Sequence, residues 1–392
     1  MGSAHIFIVI VRNSILNFYH GAATLFTQHR PLVIMSRINQ ERIARQLKIS
    51  RATVSRSLNN HPSISAETRA SVLEVAAKFG YRSSPARTLN RRRSGKPLTI
   101  GVLIGVTPAN MALSTFPYIL KGIQERAEMD RIGVDVRYQD PMLLSPDAPR
   151  QAVFRQIRAA DWRGALLIYP FPHKAVAMIA RKISTVALLE DYPELGLDTI
   201  DVDDNAGIVT LVRLLVERGH RRIGYAAWRY PIGVHWTLRR FGAFTEGIFG
   251  EGLEFHPDWA INVHKHSPRM EAPAIAREVA RLTRDAGVTA WVCSADHQAY
   301  HLVQDLRTLG VNVPRDCSVT GFDGVEPPPG APRLTSMRVA HEDIGSSALV
   351  RLTSRMLNPQ APRRKILVEA SVVTGETVAA PPREFFGVGP EG

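Results

Sequence analysis

The chain has 392 residues, 45% of them hydrophobic and 22% charged, with 49 Lys and Arg against 36 Asp and Glu. That length and mixture allow two or three globular domains with a large core, and they exclude a disordered or fibrous chain. No run reaches the ~18 apolar residues that a membrane span needs. The two cysteines, Cys293 and Cys317, lie in apolar strand-like runs and make no disulfide framework, which points to a reducing cytoplasm.

The net charge of +13 is concentrated near one end. Residues 36–97 hold 14 Lys and Arg, 3 Glu and no Asp, residues 1–35 add two Arg, and residues 98–392 hold 33 bases and 33 acids. A basic head on a neutral body suits a polyanion-binding module attached to something else.

In chain order, residues 1–35 form an extension that matches nothing downstream. Its apolar run Ile6–Val11 has no charged segment before it and no small-residue cleavage site after it, so it does not read as a signal peptide. The expectation is a disordered extension or a translation start assigned upstream of Met35. Ile43, Ala44 and Leu47 then give a short helix its apolar stripe. After Lys48-Ile49 comes a second helix, Ser50–Asn59, with Ser50 as its N-cap. Val54 and Leu58 are four apart and share its buried face. Ser50, Arg51, Ala52, Thr53, Ser55, Arg56 and Asn59 are the candidates to grip phosphates and read base edges. Ser65–Phe79 makes a third helix, with Val72, Ala76 and Phe79 on one face. Two short helices on a tight turn, the second basic, make a helix-turn-helix, and residues 36–82 make its headpiece.

Residues 41–59, ERIARQLKISRATVSRSLN, resemble the N-terminal signature of the lactose/galactose repressor (LacI/GalR) family. Thr53-Val54-Ser55-Arg56 with Leu58-Asn59 matches its TVSR-x-LN run, and Lys48 stands where that family usually has Gly. Residues 83–97, SSPARTLNRRRSGKP, have the polar, basic composition of a linker. Their Ala86-Arg87-Thr88-Leu89 also resembles the family's hinge helix, although one residue closer to Tyr81 than is usual. The resemblance implies that Arg87 meets DNA and that Leu89 wedges into the minor groove.

From Leu98 strands and helices alternate, the pattern of parallel sheets covered by helices. Strands are expected at 99–104, 133–138, 164–169, 185–189 and 199–202, with helices at 116–131, 150–161 and 173–183. A second round has helices at 205–218, 236–249, 272–286 and 296–309, with strands at 222–226, 259–263, 289–293 and 318–321. Two rounds imply two stacked α/β lobes with a cleft. Glu217-Arg218-Gly219-His220-Arg221-Arg222-Ile223 and Ser318-Val319-Thr320-Gly321-Phe322-Asp323 resemble family segments of that region. The resemblance implies a periplasmic-binding-protein-like core, with residues 98–202 and 340–370 in the first lobe. Residues 203–339 and 371–380 form the second lobe, and 381–392 a frayed tail.

No nucleophile elbow, P-loop or HExxH zinc motif occurs. His297 and His301 have a metal-compatible spacing but no third ligand, so neither metal nor cofactor is expected. Glu190-Asp191 are adjacent in a loop, where paired acids usually diverge. The resemblance instead implies an effector site on Arg239, three residues before Gly242, and on Asp323. Asp296 stands at a third such position, beside Ala295 where the family has Asn. Glu190 is a further candidate, and Trp236, Phe322, Phe116 and Tyr118 are candidates for flat apolar walls. The expected protein is a cytoplasmic, homodimeric transcription regulator, most simply a repressor. It binds a palindromic double-stranded operator under control of a small effector, by resemblance a sugar. The alternatives are a sugar-binding protein without DNA function and a sugar-processing α/β enzyme with a basic appendage.

Overall fold

The computed structural model describes residues 40–58, 63–79, 98–106, 115–144, 154, 155, 157, 159, 162–230, 235–263 and 267–382. The extension, the hinge with Arg87 and Leu89, Asn59, most of the helix expected over 150–161 and the tail from residue 383 lie outside the described residues. The chain divides into two compact units, Met1–Ser83 and Ser84–Gly392.

The first unit packs α1 (Gln40–Leu47), α2 (Arg51–Leu58) and α3 (Ala66–Lys78) around Ile43, Ala44, Val54, Val72 and Ala76. Both expected caps form: Ser50 Oγ accepts from Thr53 N at 3.0 Å and Ser65 Oγ from Thr68 N at 3.2 Å. Lys48 takes the left-handed conformation, with φ 53°, that a glycine would adopt there without strain. The lysine therefore keeps the tight turn, at a cost of about 1 kcal/mol.

The second unit holds two six-stranded sheets. The first contains β1 (Thr99–Ile104), β2 (Gly133–Tyr138), β3 (Gly164–Ile168), β4 (Ser184–Leu188), β5 (Asp198–Val202) and β11 (Lys365–Val368), in the order β11-β5-β4-β3-β1-β2. All its pairings are parallel. The second contains β6 (Ile223–Ala226), β7 (Ala260–Ile261), β8 (Ala290–Cys293), β9 (Ser318–Asp323), β10 (Thr335–Val339) and β12 (Ala370–Val373), in the order β12-β10-β9-β8-β6-β7. Only β12 runs antiparallel to its neighbour. Central strands such as β3 and β8 are buried along their whole length, as parallel strands covered on both faces must be.

Among the described residues seven helices cover the sheets: α4 (Phe116–Asp130), α5 (His173–Ala180), α6 (Asp204–Glu217), α7 (His235–Gly250), α8 (Ala272–Asp285), α9 (Asp296–Thr308) and α10 (His341–Leu357). Helix α10 follows a strand of the second sheet yet packs on α4 of the first lobe. Gly122 and Gly345 let these helices meet: a Cβ on Gly122 would fall on the Glu342 carbonyl, and one on Gly345 on that of Ile119. Asp198, at the start of β5, then ties α10 and β11 to the lobe. It accepts from Arg351 at 2.9 Å, from Arg355 at 2.8 and 3.0 Å, and from the Arg364 backbone at 2.7 Å.

The lobes are joined three times, each time through one residue: Asp203 between β5 and α6, Ala340 between β10 and α10, and Glu369 between β11 and β12. The second lobe thus regains the chain at Ala370, which pairs with Val339, one residue before the expected boundary. Two further expectations are corrected. Helix α5 stops at Ala180 rather than 183, and the strand expected over 259–263 shrinks to Ala260–Ile261. Trp259 belongs to a 3-10 turn, and Asn262 turns left-handed with φ 62° because its amide is tied to the backbone of Ala227 and Met270.

Candidate functional sites

In the headpiece, Val54 of α2 is buried as expected, while Leu58 is half-buried against the same core. Val54 and Ser57 are buried, while Arg51, Ala52 and Arg56 are exposed, with Thr53 and Ser55 between. The Ser50 hydroxyl is engaged in the cap and lies 2.9 Å from that of Thr53. The exposed strip therefore offers two guanidinium groups flanking a small apolar residue, a surface that suits a phosphate backbone and a groove floor.

In the core a cavity of about 530 Å3 lies between the two sheets. The first lobe supplies Tyr169, Leu189 and Asp201, the second Trp228, Tyr230, Trp236, Arg240, His297 and Asp323. Many of these follow the carboxyl ends of strands, where parallel α/β sheets take their ligands. Tyr169, Leu189 and Asp323 have φ of 70°, 60° and 129°. Non-glycine residues held in such conformations cost about 1–3 kcal/mol each and gather at ligand sites.

Arg240 organises the floor. Its Nε donates to Asp204 at 2.7 Å, and its Nη1 donates to the Ser294 carbonyl at 2.6 Å and lies 3.7 Å from Asp323. The guanidinium stacks 3.7 Å from the Phe322 ring centroid and 4.7 Å from that of Trp236. Burial pushes the Asp323 carboxyl up to about 7, with Arg240 opposing and the neighbouring Asp296 and Asp204 charges adding to the rise. Asp201 is likewise pushed up to about 6 by burial, against the pull of Arg239. Burial also pushes His297 and His341 down to about 4, which keeps both neutral.

Of the eight effector candidates, Asp323 and Trp236 line this cavity. Arg239 does not: it donates to Asp204 at 3.0 Å and to Asp201 at 2.7 Å, beside the cavity. Counting back from Gly242 selects the arginine beside the cavity, whereas Arg240 is the one that lines it. Trp236 and Arg240 are four apart on α7 and share a face, and that spacing was the available signal. Phe322 is fully buried beneath Arg240 and acts as its support rather than as a wall. Asp296 is buried behind the cavity, accepting from Ser336 Oγ at 2.6 Å and the Val325 backbone at 2.8 Å. Glu190 is buried and accepts from the Asp191 backbone, leaving the cavity wall to Leu189. Phe116 packs edge-on against Tyr138 at 5.6 Å, and Tyr118 is exposed with its ring 6.3 Å from that of His341. Tyr169, Trp228, Tyr230 and His297 lie in the wall without having been expected there. Among the described residues no group of three or more His, Cys, Asp or Glu is arranged to hold a metal. Cys293 and Cys317 are buried free thiols.

A three-helix unit with a helix-turn-helix, followed by two parallel-sheet lobes that enclose a small-molecule cavity, defines a DNA-binding protein with a ligand-binding core. Residues 41–84 match the model of bacterial regulatory proteins of the lacI family, and residues 212–378 that of the periplasmic binding protein-like domain. The chain thus joins a lacI-family helix-turn-helix domain to a periplasmic binding protein-like domain and is a DNA-binding transcription regulator. It is 28% identical to the HTH-type transcriptional regulator AglR of Rhizobium meliloti over 362 residues, covering 88% of this chain and 96% of the relative. It is 26% identical to the transcriptional repressor CytR of Escherichia coli, with 86% and 96% covered. Its fold matches that of a lac repressor dimer bound to operator and the anti-inducer ONPF, with TM-score 0.58, 20% identity and coverage of 88% and 99%. It also matches that of the regulator CelR in complex with cellobiose, with TM-score 0.57, 20% identity and coverage of 87% and 100%.

Proposed function

We propose that the protein is a homodimeric repressor in the cytoplasm. It grips a palindromic operator through the exposed face of α2 and is controlled by a saccharide bound between the core lobes. The observation that carries this reading is the position of the cavity. Residues of both sheets line it, and among the described residues three one-residue links join those sheets. A ligand that touches both walls stabilises one arrangement of the lobes over another, which is the physical requirement for control at a distance. The saccharide reading is supported by the aromatic side chains of Trp228, Tyr230 and Trp236, which line the cavity together with the polar groups of Asp323 and His297. Such walls take the apolar faces of sugar rings while a few polar groups fix orientation. CelR is described with cellobiose, and another similar fold with bound sucrose. Dimerisation follows from the short recognition helix, which needs two half-sites for useful specificity. We assign no catalytic activity to the cavity.

The test is a gel shift of the full chain on DNA from its own promoter region, with and without the saccharide that most raises its melting temperature. Arg56→Ala is expected to weaken operator binding by about 1–3 kcal/mol and to lower its salt dependence. Operator binding indifferent both to that substitution and to every saccharide would remove the proposal.

A further inference from the structure

His297 was weighed in the sequence only as half of a metal pair, and the fold gives it a different task. It sits on α9 at the cavity wall, beside Gln298. The backbone N–H of Trp228 donates to Gln298 Oε1 at 3.0 Å, and Ser294 Oγ lies 2.7 Å from the same oxygen. A backbone N–H can only donate, so it fixes which end of the amide is oxygen. Gln298 Nε2 therefore donates to the Tyr230 hydroxyl at 3.0 Å. A phenol has one hydrogen. Gln298 fills an acceptor position of the buried Tyr230 oxygen, and among the described residues the other partner of that hydroxyl is His297 Nε2, 2.6 Å away, which is left to take its hydrogen. A ring nitrogen that accepts carries no proton, so the proton of the neutral imidazole sits on Nδ1. Burial favours the neutral ring and also keeps the Tyr230 phenol protonated. No described residue accepts from Nδ1.

The charges around the ring set a second condition. Each arginine lining the cavity is already engaged: Arg240 by Asp204 and Ser294, Arg269 by Glu271 at 3.3 Å, and Arg229 by the Ser267 carbonyl at 2.6 Å. Asp140, Asp201, Glu271 and Asp323 line the same space. An anionic ligand would share these arginines with their present partners and meet a wall that holds four acids against three arginines, whereas an uncharged ligand meets no such competition.

We propose that His297 is a specificity-determining donor. Its Nδ1–H, fixed by the Gln298–Tyr230 relay, takes an oxygen of an uncharged ligand in the cavity that Asp323 also lines, and the cavity rejects phosphorylated and carboxylated forms. The choice of sugars as probes rests on the saccharide reading above, and the donor assignment does not. The test uses the full chain labelled with 15N-histidine at neutral pH, with the His297 signals assigned by their loss in His297→Phe. The native protein is expected to show a protonated Nδ1 and a bare Nε2, and Tyr230→Phe a mixture of tautomers. In thermal denaturation, glucose, ribose or cellobiose should raise the transition, while glucose 6-phosphate and ribose 5-phosphate should not. His297→Phe keeps the ring and loses the donor, and should weaken saccharide binding at least tenfold. A proton on Nε2, an imidazolium at neutral pH, or a sugar phosphate that binds better than its free sugar overturns the proposal. The expected tautomer together with a transition raised by adenosine and by no sugar upholds the uncharged-ligand donor and sinks the saccharide reading.

Discussion

Replacing the two adjacent arginines of α7 one at a time separates the role of each. Arg239→Met removes hydrogen bonds to Asp201 and Asp204, but the arginine side chain is 28% exposed and Asp204 keeps Arg240 as a partner. A stability loss of about 1.5–3 kcal/mol is expected, the range for hydrogen bonds to charged groups. Arg240→Met removes the bonds to Asp204 and Ser294, the ion pair with Asp323 and two ring contacts, from a side chain only 6% exposed. Breaking a buried pair of this kind costs about 3–5 kcal/mol, against a usual total of about 5–15 kcal/mol. The protein should still fold, with a lower urea midpoint read by tryptophan fluorescence. Ligand binding should reverse the emphasis. Calorimetric titration with the most stabilising saccharide should show Arg239→Met within about threefold of native, since its side chain lies outside the cavity. Arg240→Met should lose about ten- to hundredfold, as when one or two charge-assisted contacts go. A variant at Arg239 that loses the ligand while one at Arg240 keeps it would return the site to the assignment made from sequence.

Gly122→Ala and Gly345→Ala each place a methyl group on a backbone carbonyl of the facing helix. Each should lower stability by about 1–3 kcal/mol in urea titration, and two variants of native stability would mean that α4 and α10 do not meet there. Burial lowers the pKa of His220, His297 and His341, so all three take up protons on unfolding between their unfolded value, roughly 6.5, and their lower folded ones. Their contribution is present above that window and is lost as pH falls through it, while Asp201 and Asp323, raised by burial, oppose the loss over part of the range. His341→Gln should flatten the fall in melting temperature between pH 6.5 and 5, and an unchanged slope contradicts the assignment. Lys48→Gly should slow amide exchange in α1 and α2 in line with a gain of about 1 kcal/mol, and faster exchange would mean that the left-handed turn is misassigned.

The layers of this fold were legible because burial on both faces writes a parallel strand as a continuous apolar run. GALLI in β3 and AWVC in β8 can be read without a structure. The headpiece was legible for a second reason: Ser50, Val54, Leu58 and Ser65 are local signals, each acting within one turn of helix. The cavity was less so, since its chemistry depends on which face of a helix turns inward. Arg239 and Arg240 are chemically identical and differ only by ~100° of helical rotation. Phe322 shows the same difficulty on a strand, where alternation sends it under the guanidinium while Asp323 next to it reaches the cavity. The relay through Gln298 joins residues 68 apart in the chain, and no spacing rule connects them.

The last crossing has a consequence for synthesis. The first lobe finishes its sheet with β11 and its helical cover with α10, although β5 leaves the ribosome about 160 residues before β11. At ordinary elongation rates the lobe therefore waits roughly ten to thirty seconds with an open edge and an uncovered apolar face. The headpiece, whose described helices pack on one another within 40 residues of chain, can fold within that interval. The nascent chain thus carries a folded basic head before it has a complete core to regulate it. Any message truncated before Lys365 yields a protein in which neither sheet has all six strands, an open-edged species for chaperones and proteases to clear.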